Sequence, residues 1–124
     1  MTTVTIRRDD KDNYTGITCF GHADYADKRP LRRLYKRAFA PKTEKDVLCA
    51  AISMLVIGTI NSLDELSNEK MKVVTNEEDG FIKCDFVNPL QEKSRFLVDS
   101  MVFNLENLSK EYGKKYLTIR YERE

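Results

Sequence analysis

The chain holds one histidine, three cysteines and three prolines in 124 residues. Its cysteines, Cys19, Cys49 and Cys84, are odd in number, far apart and without a C-x-x-C pair. They match neither a disulfide framework nor a zinc spacing, and with a single histidine no structural metal site is expected. No glycine-rich phosphate loop, paired-carboxylate motif, internal repeat or low-complexity segment is present. The formal charge is only +1, so no global field draws the chain to nucleic acid or to a membrane. The first residues, Met1-Thr2-Thr3-Val4-Thr5-Ile6-Arg7-Arg8, lack the apolar core of a signal peptide. The longest apolar stretch, Val47 to Ile60, is interrupted by Cys, Ser, Gly and Thr and reads as too short to span a bilayer. A cytoplasmic protein with no membrane partner is the expectation.

What is present fits a globular enzyme-sized unit. Apolar residues make up 41% and charged residues 33%, the balance of a soluble domain. Residues 1–124 are long enough for one domain with a core that needs no staples.

Alternation of apolar and polar residues predicts strands at Val4 to Arg8 and Thr15 to Phe20, joined across the polar run Asp9 to Asn13 as a hairpin. Ile17 and Cys19 fall on one face of the second strand; Thr18, Phe20 and His22 fall on the other. Asp46 is placed to cap a helix from Val47 to Leu66 that is apolar almost all round through Ile60. Such a helix needs burial on more than one side, between layers or in a dimer interface. Strands follow at Met71 to Thr75 and Phe81 to Val87, with Gly80 able to take positive φ in the turn between them. Pro89 suits the first position of a second helix. Its stripe is Leu90, Leu97, Val98, Met101, Leu105, Leu108 and Tyr112, and Gly113 is its stop. A last strand covers Tyr116 to Tyr121. The order β-β-α-β-β-α-β predicts an α+β fold, two helices on a mixed or antiparallel sheet.

Asp24 to Lys45 breaks this pattern. Its 22 residues carry eight Lys or Arg against Asp24, Asp27 and Glu44, a net +5 that leaves −4 for the rest of the chain. Pro30 and Pro41 bracket Leu31, Leu34, Tyr35, Ala38 and Phe39 at helical spacing, so a short basic amphipathic helix inside a long loop is expected.

The two stretches flanking that loop carry the chemistry. A thiol attacks as thiolate, which a helix N-terminus and a histidinium both favour. With Asp46 as cap, Cys49 would lie in the first turn, where free backbone N–H groups could also hold an oxyanion. Ala50 and Ala51 leave room for a substrate backbone. His22, beside Gly21 at a strand end, could reach this helix start. Spacing alone does not separate a catalytic Cys/His pair from a core thiol and a surface histidine. Cys84 alternates with Ile82 and Phe86 as a core thiol. Cys19, on the face opposite His22, is read as outside the site.

Gly21-His22-Ala23, followed by Asp46-Val47-Leu48-Cys49-Ala50-Ala51-Ile52-Ser53, resembles the ribosomal-processing cysteine proteases called Prp. That family has a G-H-A element, a loop, and a D-[IV]-[VIL]-C-[AS]-[AG]-x-S element opening a helix. The element order also matches, so the resemblance covers most of the chain. It implies Cys49 as nucleophile and His22 as base, with Gly21, Ala23, Asp46, Ala50 and Ser53 as supporting motif positions. It further implies a homodimer, no metal or cofactor, and a substrate in the N-terminal extension of a large-subunit ribosomal protein (number twenty-seven). The chain departs from the family in the loop: 26 residues separate His22 from Cys49, where relatives have a short connection. Tyr35 and Phe39 are read as part of a lid over the site, and the basic residues as a contact for ribosomal RNA. The alternative is a non-catalytic ribosome- or RNA-associated module that binds through this loop.

Overall fold

The computed structural model describes residues 2–21, 44–76 and 80–124, with the side chains of the first helix described from Leu48 onward. The elements are β1 (Thr2–Arg8), β2 (Tyr14–Phe20), α1 (Glu44–Glu65), β3 (Met71–Asn76), β4 (Phe81–Phe86), α2 (Glu92–Tyr112) and β5 (Leu117–Arg123). The five strands form one sheet in the order β3-β4-β2-β1-β5. β1 and β5 run parallel and the other neighbours antiparallel. The sheet is therefore mixed and the fold α+β, as the element pattern predicted.

One row of partners shows how the core is built. Val73 pairs with Cys84, Cys84 with Ile17, Ile17 with Ile6 and Ile6 with Tyr121. Residues directly opposite one another share a face, so this row and its parity mates Val4, Cys19, Ile82 and Leu117 all point to one side. There all of them but the exposed Val73 and Tyr121 join Leu48, Ile52, Val56, Ile57, Ile60 and Leu63 of α1 and Val98, Met101 and Leu105 of α2 in a single buried cluster. Both helices thus cover one face. Cys84 is fully buried in that cluster, with its Sγ 3.5 Å from Met71 Sδ, in keeping with the core role read from its alternation.

The other face is polar and open. Arg7 lies across it over Gly16, bonds to the Cys84 carbonyl at 3.2 Å and pairs with Asp85 at 2.8 Å. A Cβ at position 16 would stand 2.1 Å from the Arg7 guanidinium. The glycine is therefore a matter of space, since only a bare backbone lets the arginine lie flat.

The hairpin between β1 and β2 is held by Asp9, whose Oδ1 accepts from the Lys11 and Asn13 N–H groups at 2.9 Å each. Tyr14 then ties this hairpin to α2. Its hydroxyl donates to Asp99 at 2.5 Å and accepts from Arg8 at 2.9 Å.

Three differences from the sequence expectation concern the helices. α1 already includes Glu44 and Lys45, two residues ahead of the cap read at Asp46; both are good helix formers. α2 begins at Glu92 with Gln91 as its cap residue, so Pro89 lies ahead of the helix. Gln91 instead accepts a connecting role, donating to the Ser67 carbonyl at 2.9 Å. The third difference concerns the apolar stretch read as too short for a bilayer: by length and composition, Leu48–Glu65 is long and apolar enough to cross one. In this fold it is the core helix. Gly113 and Gly80 do take the positive φ expected of them, 97° and 61°. The turn residues 77–79 and the loop helix around Leu31 to Phe39 lie outside the described residues.

Candidate active site

β2 ends at Phe20 and is followed by Gly21, whose φ is 111°. A residue with a Cβ is strained at that angle, so the glycine allows the chain to leave the strand in a new direction. Strand parity therefore runs only as far as Phe20. Extending it to His22, as the alternation suggested, has no structural basis past Gly21. His22 and Ala23 lie outside the described residues, as do Tyr35 and Phe39.

α1 supplies the thiol. Leu48, Ile52, Ser53 and Val56 are buried, and Cys49 borders this sheet-facing stripe while remaining partly exposed. Ser53 is one turn on from Cys49 and almost fully buried, as its position below the thiol implied. Ala50 and Ala51 are half-buried. The side chain of Asp46 is outside the described residues.

The position of Cys49 along the helix is a correction. With Glu44 already in α1, Cys49 is at least its sixth residue. Only the first four N–H groups of a helix are free, so the Cys49 N–H falls inside the hydrogen-bonded ladder. The first-turn location expected from an Asp46 cap, with the oxyanion donors it offered at Cys49, does not hold.

Cys19 is the second correction. It faces the helices from β2, is fully buried, and its thiol is pushed up to about 12 by burial first and by the nearby Cys49 second. It therefore lies in the core close to Cys49. The signal was available: Cys19 shares its face with Ile17, and an apolar helix such as α1 has to pack against that face. Cys84 is likewise pushed up to about 12, chiefly by burial. Cys49 is the one cysteine of three with access to solvent.

The end of β2 just before Gly21, a partly exposed thiol at least six residues into α1, and a protonated thiol near it make a thiol site at one end of the sheet. The Cysteine protease Prp family profile matches residues 1–117. The chain belongs to the cysteine protease Prp family. The Ribosomal processing cysteine protease Prp of Staphylococcus aureus (strain NCTC 8325 / PS 47) is 21% identical over 114 residues, covering 92% of this chain and 93% of that protein. Its namesake from Bacillus subtilis (strain 168) is 22% identical over 116 residues, covering 90% of each. Among solved structures, the crystal structure of SMU.848 from Streptococcus mutans superposes with a TM-score of 0.73 at 22% identity, covering 100% of this chain and 99% of that one. The S. aureus Prp protease in complex with a covalently linked product peptide gives 0.74 at 20% identity, covering 98% and 100%. These structures share the fold of this chain. The Prp membership makes it a cysteine peptidase of the ribosomal-processing class.

Proposed function

We propose that this chain is an endopeptidase in which Cys49 is the nucleophile and His22 the base. The observation that supports the reading is that Cys49 alone among the thiols meets solvent, close to Cys19 of β2, the strand that Gly21 and His22 follow in the sequence. His22 takes the thiol proton, and the sulfur attacks the scissile carbonyl. The tetrahedral intermediate collapses as the imidazolium protonates the leaving amine, leaving a thioester that water hydrolyses. The protonated, buried Cys19 gives the nucleophile an apolar neighbour and does not compete with it.

The substrate in this reading is the N-terminal extension of a large-subunit ribosomal protein, number twenty-seven, cut during ribosome assembly in the cytoplasm. S. aureus Prp has been crystallised with a substrate peptide, which supports a peptide as ligand. The basic 24–45 loop acts as lid, with Tyr35 and Phe39 covering the site and its lysines and arginines meeting ribosomal RNA. The chain works as a homodimer. From Val47 to Leu63 it has no charged residue, and only 39% of the Leu48–Glu65 stretch is buried within one copy, so the outward side of α1 around Met54 is suited to a second copy.

The deciding experiment is cleavage of a peptide spanning that ribosomal N-terminus by wild-type, Cys49→Ala and His22→Ala proteins of equal thermal stability. Loss of cutting in both variants is expected. Cutting that survives Cys49→Ala overturns the reading.

A further inference from the structure

The two edges of the sheet differ. β5 carries Arg120, Glu122 and Arg123 along its length, charges of the kind that keep an edge from pairing. β3 has one charge, Lys72, in its six residues.

The hydrogen-bond register shows which backbone groups that edge offers. The Val87 N–H donates to the Lys70 carbonyl at 3.0 Å, and the ladder continues in unbroken register from Met71↔Phe86 to Asn76↔Phe81. In an antiparallel ladder, hydrogen-bonded pairs alternate. Lys72, Val74 and Asn76 therefore face β4, while Met71, Val73 and Thr75 turn their N–H and C=O groups outward. Flanking them, Val73 on the helix side is 40% exposed and Val74 on the open side 56%. An added strand would cover both valines, so it would bring apolar side chains on consecutive residues.

The edge also leads to the thiol site. Thr75 pairs with Ile82, and Ile82 with Cys19, the core thiol close to Cys49. The C-terminal end of β3 thus lies at the same end of the sheet as the nucleophile. A strand outside β3 would lie three spacings from β2, roughly 14 Å, or about four to five residues of extended chain.

We propose that the β3 edge is a strand-addition site for an extended, apolar stretch of the substrate polypeptide about four to five residues from the bond that Cys49 cuts. The inference rests on the protease reading above. The uncharged side of α1 takes the second copy, and the β3 edge takes substrate.

The test uses a long quenched peptide from the ribosomal protein's N-terminus and a short one trimmed to the residues around the cut. Val73→Pro removes an outward N–H and leaves the ladder to β4 intact. It is expected to raise KM for the long peptide roughly tenfold while kcat, and both constants for the short peptide, stay unchanged. In the Cys49→Ala protein, adding the long peptide should slow amide exchange at Val73 and Thr75, and the short peptide should not. This second readout holds even if proline at 73 unfolds the chain. Wild-type cutting of both peptides without protection at Val73 and Thr75 overturns the strand-addition site alone. A Val73→Pro protein that turns from dimer to monomer also overturns it, assigning the edge to a second copy. Failure of the wild type to cut either peptide overturns the protease reading and this inference with it.

Discussion

Cys19, fully buried on β2 in the core that α1 also lines, lies close to Cys49. Cys19 is held protonated by burial first and by the neighbouring Cys49 second. The protein therefore places two thiols of opposite character at one end of its sheet.

Limited alkylation with iodoacetamide at neutral pH should modify Cys49 and leave Cys19 and Cys84 untouched until the protein is unfolded. Burial, not intrinsic reactivity, makes the difference. Peptide mass spectrometry after short exposures checks it; equal labelling of all three would contradict the packing described here.

Alkaline pH should destabilise the chain through its buried thiols. Cys19 and Cys84 are pushed from 9.0 up to about 12 in the folded state. Below pH 9 both states are protonated and the stability is intact. Between about 9 and 12 the unfolded chain loses protons that the folded chain keeps, so stability falls by roughly 1.4 kcal/mol per pH unit for each thiol. Urea midpoints measured from pH 8 to 11 should show that slope, and Cys84→Ala should make it shallower.

Gly21→Ala should reduce cleavage more than it reduces stability. The backbone at φ 111° strains any residue with a Cβ, at a cost of about 1–2 kcal/mol. Relaxation of that strain would redirect the chain into His22. Steady-state kinetics beside thermal unfolding separates the two effects; a protein of reduced stability and unchanged kcat would remove Gly21 from the site.

Met54→Glu should convert a dimer to a monomer. Met54 is 38% exposed on a helix with no charge from Val47 to Leu63, and a carboxylate buried between two copies without a partner costs several kcal/mol. Sedimentation of wild type and variant at matched concentrations measures this. An unchanged molecular weight would move the dimer contact elsewhere.

Sequence alone determined the element order, the inward faces of β1, β2 and β4 and most of the stripe of α2, because periodicities of 2 and 3.6 are local properties of the chain. Ile82 and Cys84 alternate inward on that basis, and Gly80 and Gly113 mark their turns through the φ only glycine adopts freely. The two motifs around His22 and Cys49 were also legible there, since they are contiguous residues. Tertiary structure alone decided what depends on distant partners. The presence of Glu44 and Lys45 in α1 put Cys49 past the first turn, because helix ends follow packing as well as caps. Cys19 came close to Cys49 only once β2 and α1 shared one core, the two residues being 30 positions apart in the chain. The outward turn of Met71, Val73 and Thr75 depends on the pairing register of β3 with β4, and no composition reveals a register.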